Sequence, residues 1–224
     1  MRIQLTFTTT KEELPIEYRK AIMAFIKESM KSASSNLYEK YYDNCNKKNF
    51  TFSTFIPGIK FSSDKILKTG HDFYVNISTS DIQLGYLMAN MFNSYKGKPF
   101  PLKNDNYMIL TSLNSVNEKK ILSDTIVVKT MSPICILEHY KGDNSKDRYH
   151  SIESNEFSKM LKERYDVDFT NINAKKIVVK HQNLCIEATA GSFVLKGNPS
   201  ILNQLYQNGL GNRCGQGFGM FEIL

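Results

Sequence analysis

The order in which strand and helix patterns follow one another is what most narrows the folds open to this chain. Arg2 to Thr8 alternates, with Ile3, Leu5 and Phe7 on one side and Gln4, Thr6 and Thr8 on the other, as in a half-buried strand. Pro15 then opens a helical pattern carrying Ile16, Ala21, Ile22, Phe25, Ile26 and Met30 at three- and four-residue spacings. Phe50 to Phe55 reads as a strand with its aromatics on one face, and His71 to Ser78 as another. Ser80 or Asp81 can cap a helix running to about Phe92; Lys96 to Pro101 breaks it, and Tyr107 to Leu113 is a fourth strand. Strand-helix-strand-strand-helix-strand is the ferredoxin-like order.

The second half repeats that order. Asp124 to Met131 is a strand, Ser132-Pro133 turns the chain, and Ile134 to His139 continues extended. A charged loop, Gly142 to Arg148, precedes a helix over Ser151 to Tyr165. Ala174 to His181 and Leu184 to Lys196 form a hairpin turning at Gln182-Asn183, Pro199 starts a short helix, and Met220 to Leu224 is a last strand. The pattern predicts an α+β chain of two tandem ferredoxin-like (RRM-like, βαββαβ) domains, residues 1–118 and 119–224, although the halves share no convincing identity.

Between the last helix and the last strand lies N-G-L-G-N-R-C-G-Q-G-F-G. Five of the chain's twelve glycines (Gly209, Gly211, Gly215, Gly217 and Gly219) fall there, arranged as two glycine-hydrophobic-glycine units with Arg213 between them. Glycine tolerates positive φ and close approach of another backbone, so such a loop can present N–H groups to an anion, and Arg213 adds a donor fork suited to phosphate. No helix follows, so it is neither a dinucleotide fingerprint nor a phosphate-binding loop ending in Gly-Lys-Ser/Thr. One or two glycines would suit a structural turn; five in this pattern point to backbone contact.

Lys and Arg outnumber Asp and Glu by 29 to 22, a net +7, which favours nucleic acid or an anionic surface as partner. The four cysteines (Cys45, Cys135, Cys185 and Cys214) form no C-x-x-C pair, so neither a zinc site nor a disulfide framework is indicated, and no cofactor is expected. The start, Met1-Arg2-Ile3-Gln4, has no apolar signal core, and no run approaches a membrane span; a soluble, cytoplasmic protein is expected.

The glycine pattern before a final strand resembles the repeat-associated RNA-binding superfamily of CRISPR systems, and within it the endoribonucleases that cut precursor CRISPR RNA in its repeats. Val127 to Ile134 resembles that family's strand-Ser-Pro entry into its second domain, Ala190 to Gly197 its hairpin strand before the last helix, and Phe50 to Ser53 the strand after its active-site segment. The resemblance implies cleavage without metal, by attack of a ribose 2′-OH on the adjacent phosphate. It also implies repeat RNA as partner, bound by a monomer or homodimer through Gly209, Gly211, Asn212, Arg213, Gly215, Gln216, Gly217 and Gly219, with Lys129 and Lys196 adding charge. Lys175, Lys176 and Lys180 add positive charge with them, and each of these five lysines is individually read as solvated.

Many members of the family place a histidine a few residues before a basic residue and the Phe-Thr-Phe/Tyr-Ser strand. Here residues 37–48 read L-Y-E-K-Y-Y-D-N-C-N-K-K and contain no histidine. By spacing Tyr42 occupies that place and Lys48 the basic position, with Tyr38, Tyr41 and Lys47 as neighbours. A phenol with a pKa near 10 is a poor base unless a cation lowers it, but it can donate a proton, and a lysine can stabilise the phosphorane. His71, His139, His150 and His181 have no nucleophile or metal-ligand partner at telling spacing and are read as solvated or hydrogen-bonded. Two other readings stay open: a histidine-less binder that grips the repeat and cuts weakly or not at all, and an RNA-binding subunit of a CRISPR interference complex.

Overall fold

The N-terminal alternation folds as β1 (Arg2–Thr9), with Ile3, Leu5 and Phe7 buried. It is followed by β2 (Glu13–Pro15), α1 (Tyr18–Ala33), β3 (Thr51–Phe55), β4 (Lys60–Phe61), β5 (Lys65–Leu67), β6 (Asp72–Ser78), α2 (Ile82–Tyr95), β7 (Pro99–Pro101) and β8 (Tyr107–Val116). The computed structural model describes residues 1–33, 39, 49–63, 65–139 and 147–224. They fall into two units, one drawn from Met1–Asn49 and Ser53–Asn117, the other from Phe50–Phe52 and Glu118–Leu224.

In the first unit the strand order β3-β6-β1-β8 is that of a ferredoxin-like sheet, extended at one edge by β7. The helices lie on the Phe7 side: the Phe7 ring meets Phe25 of α1 edge-on at 5.0 Å, and Phe25 stacks with Phe92 of α2 at 5.8 Å. Asp81 caps α2, accepting from Leu84 N–H at 3.0 Å. The chain differs from the sequence pattern in two places. Pro15 ends a short strand, and α1 begins only at Tyr18. Phe50 and Phe52 are buried, whereas Phe55 is 61% exposed beside Tyr74, at 6.1 Å, because an odd step along the strand puts it on the opposite face.

The second unit runs β9 (Thr125–Thr130), β10 (Ile136–Glu138), β11 (Arg148–His150), α3 (Asn155–Tyr165), β12 (Asp168–Asn171), β13 (Lys175–His181), β14 (Leu184–Ala190), β15 (Ser192–Lys196), α4 (Pro199–Asn208) and β16 (Phe221–Ile223), with a 3-10 turn at Cys214–Gln216. Its sheet, β12-β15-β9-β16, again has ferredoxin-like order. Ser154 caps α3, so the helix starts at Asn155 rather than Ser151. The expected strand Leu184 to Lys196 is two: it breaks at Gly191, and only β15 joins the main sheet, against β9 and β12. The sheet strand the pattern missed is β12, whose burial is slight because it forms the edge.

The hairpin β13–β14 is therefore an insertion outside the main sheet, joined to Ile134 by a single antiparallel bridge from Thr189, and it turns at Gln182-Asn183 with φ of 51° and 63°. Its inner face closes a small core of its own, Cys135, Val179, Ile186 and Ala188 around Phe218 of the glycine loop.

Candidate nucleic-acid interface

The glycine loop begins where α4 ends, with Gly209 N–H on Leu205 O at 2.8 Å, and it is tied to the rest of its unit mainly by backbone. Leu210 N–H donates to Gly219 O, Asn212 N–H to Cys135 O and Gly219 N–H to Pro133 O, each at 2.8 Å. Gln216 N–H and Gly217 N–H close the 3-10 turn on Arg213 O and Cys214 O, and Met220 N–H donates to the Ser132 hydroxyl at 2.9 Å. The Thr51 hydroxyl donates to Phe218 O at 2.8 Å.

This corrects the expectation that the loop's amides face outward. All five of its glycines are buried, and the N–H groups of Gly209, Gly217 and Gly219 are engaged inside the protein. At two of them the missing side chain admits a carbonyl, and at Gly209 it admits the Cys214 and Thr51 side chains. A Cβ on Gly211 (φ 90°) would lie 2.5 Å from Cys135 O, and one on Gly219 (φ 81°) 2.5 Å from Leu210 O.

What the loop offers outward is side chains. Asn212, Arg213 and Gln216 are half-buried. Asn212 Oδ1 accepts from Leu137 N–H and from Arg164 Nη1, both at 2.9 Å, and a second Arg164 nitrogen donates to Leu137 O. Arg213 sits in the left-handed region (φ 58°). Its Nε–H donates to the Tyr149 hydroxyl at 2.7 Å, Nη2 donates to the same oxygen, and Nη1 donates to Gln216 Oε1 at 2.7 Å. Its guanidinium carbon lies 5.2 Å from the Tyr149 ring centroid, a cation–π contact. His181 Nε2–H donates to the same Gln216 oxygen at 3.1 Å, and the His181 ring meets Phe218 edge-on.

Lys129 and Lys196 stand elsewhere in the unit. They are exposed on the sheet, Lys129 opposite Ser192 and Glu222, Lys196 opposite Thr125 and Asp168. The structure thus joins Arg213 to Gln216 on the loop, next to Asn212, while the two lysines stand on sheet strands. Sequence reasoning passed over Tyr149 and Arg164 and read His181 as solvated or hydrogen-bonded without naming its partner; all three hold the loop's polar side chains, and no spacing links them to residues 208–219. The catalytic candidates Tyr38, Tyr41, Tyr42, Lys47 and Lys48 lie outside the described residues.

Of the remaining histidines, His150 is buried between Ser154 Oγ at 2.9 Å and Glu138 Oε2 at 2.8 Å, and His139 is exposed beside Asp147. His71 Nδ1 donates to Thr9 O at 2.7 Å. Among the described residues no helix is long and apolar enough to cross a membrane.

Residues 116–223 match the family model described as CRISPR associated protein Cas6, C-terminal. Among solved structures, the chain is similar over 100% of its length to a Cas6-related protein from Pyrococcus furiosus, at 19% identity, 98% coverage of that chain and a TM-score of 0.87. It is similar in the same way to a RAMP protein described as binding different RNA substrates (19% identity, 99% of that chain, TM-score 0.84) and to a CRISPR-associated protein Cas6 (18%, 99%, 0.74). No curated protein sequence matches the chain. The fold shared with these structures is the tandem ferredoxin-like one. The second unit matches the Cas6 C-terminal family model, and over its whole length the chain has the fold of these solved structures.

Proposed function

We propose that this chain binds precursor CRISPR RNA and cuts it within its repeats. The 2′-OH beside the scissile bond attacks the phosphate, leaving a 2′,3′-cyclic phosphate and a 5′-OH, with no metal required. The observation that carries this reading is the Cas6 C-terminal match over residues 116–223, whose last connection holds Arg213 and Gln216 at the loop surface. In this reading the first domain, residues 1–118, contributes the chemistry and the second, residues 119–224, grips the RNA backbone. Tyr42 and Lys48 lead the reaction, as proton donor and phosphorane-stabilising cation, with Tyr38, Tyr41 and Lys47 beside them.

Incubating the protein with the repeat of its own genome in EDTA tests this. A defined 5′-OH product is expected, with Tyr42→Phe and Lys48→Ala each slowing cleavage by roughly 10²-fold or more, the scale of general acid–base work. Unchanged rates in both variants would remove the site. A second reading, a repeat-binding protein that cuts weakly or not at all, is favoured by the absence of histidine from residues 34–48. A shifted RNA band with no product establishes that reading instead.

A further inference from the structure

We propose that Tyr149 and His181 are positioning residues that set Arg213 and Gln216 as one donor-only site for a single RNA phosphate. The proposal rests on the reading of the glycine loop as an RNA contact and assigns how that contact is built.

A guanidinium carries five N–H donors. In Arg213 three are held inside the protein: Nε–H and one Nη2–H on the Tyr149 hydroxyl, and one Nη1–H on Gln216 Oε1. One N–H remains on each terminal nitrogen, available to phosphate oxygens. Gln216 Oε1 accepts from both Arg213 and His181, so the acceptor half of that amide is occupied and its NH2 is what it can still offer. A site that presents N–H groups and no acceptor suits phosphate oxygens, a contact that positions RNA without reading its bases.

The two holding residues come from regular structure. Tyr149 is in β11, paired with Leu137 of β10, and His181 ends β13, 1% exposed against Phe218. Both the guanidinium plane and the amide are therefore fixed before RNA arrives, which lowers the ordering cost of binding. A lysine at 213 supplies the charge but cannot make the three internal bonds, because its ammonium is a point charge on a flexible stem.

The test is the affinity for repeat RNA, at one fixed salt concentration, of the parent, Arg213→Ala, Arg213→Lys, Tyr149→Phe and the Tyr149→Phe/Arg213→Ala double variant. Arg213→Ala is expected to weaken binding about tenfold, on the scale of one charge-assisted contact, and Arg213→Lys to be as weak. Tyr149→Phe, which keeps the ring and removes the hydroxyl, is expected to weaken binding several-fold in the parent and not at all in Arg213→Ala; this non-additivity is the signature of positioning. Tyr149→Phe binding like the parent, additive effects, or full rescue by Arg213→Lys would each overturn the proposal while leaving the RNA contact standing. Arg213→Ala binding like the parent would overturn the loop's role itself.

Discussion

Each unit must lead the chain from its second core helix to its last sheet strand, and the two solve this differently. In the first unit the connection from α2 to β8 contains one glycine, Gly97 (φ 78°), whose absent Cβ would meet nothing within 4 Å. It is held by β7, which pairs with β8, and at its far end by a side chain: buried Asn106 accepts from the Thr10 hydroxyl at 2.9 Å and Lys11 N–H at 3.0 Å, and donates to Glu13 O at 2.8 Å. In the second unit the connection from α4 to β16 is pinned mainly by backbone, and at Gly211 and Gly219 another carbonyl occupies the place of a side chain. Gly211 and Gly219 thus record close main-chain approach, and the first connection shows that the topology alone does not demand it.

The largest expected effect breaks that contrast directly. Gly211→Ala or Gly219→Ala combines positive φ with a carbonyl 2.5 Å from the new Cβ, so the ribbon has to shift. Each is expected to cost on the order of 3 kcal/mol or more, at the high end of backbone-strain effects. Gly97→Ala meets only the φ penalty and is expected to cost about 1 kcal/mol. Urea midpoints for the three variants check this; equal losses at Gly97 and Gly219 would mean that close approach does not distinguish the two connections.

An intermediate effect compares the asparagines. Asn212→Ala leaves Leu137 N–H and Arg164 without their shared acceptor, and Asn106→Ala leaves two donors and one carbonyl unpaired. Unsatisfied buried groups cost about 1–3 kcal/mol each. Asn106→Ala is expected to be the more destabilising, because Asn106 is 2% exposed while Asn212 is half-buried and water can reach its former partners. If denaturation midpoints instead rank Asn212→Ala lower, side-chain pinning matters more in the glycine ribbon than its backbone bonds suggest.

The same contrast explains what was legible in the sequence. The alternation of β1, β6 and β9, the cap at Asp81 and the turn at Gln182-Asn183 are local signals, each read by a period or a residue type, and they carried the ferredoxin-like order of both halves. β12 escaped because an edge strand with one half-buried apolar residue, Phe169, has no period to read. The direction in which the glycine loop faces was not legible at all. A glycine that admits a ligand and one that admits a carbonyl look alike in sequence, and the carbonyls concerned, Pro133 and Cys135, are far from Gly219 and Asn212 along the chain. Tyr149, and the partner of His181, were missed for the same reason: they meet Arg213 and Gln216 only through the fold.

The smallest effect at neutral pH compares two tyrosines that each close a helix, Tyr95 at the end of α2 and Tyr165 at the end of α3. Burial pushes both phenols above the ordinary value, helped by Glu28 at Tyr95 and by Cys214 at Tyr165, where Arg164 pulls the other way. Tyr165 also donates to Gly211 O at 3.3 Å, so it reports on the glycine ribbon. A raised phenol pKa means that the folded state holds its proton when the unfolded chain has lost it. The stability this gives is fully present below the unfolded value near 10 and is lost as pH rises through the folded value. Melting temperature should therefore fall above about pH 10, and Tyr165→Phe, which cannot ionise, should flatten that fall. At neutral pH the variant should lose no more than about 1 kcal/mol, the net worth of one long hydrogen bond. If Tyr165→Phe melts with the same alkaline slope as the parent while Tyr95→Phe flattens it, the alkaline sensitivity lies in the first unit and the ribbon plays no part in it.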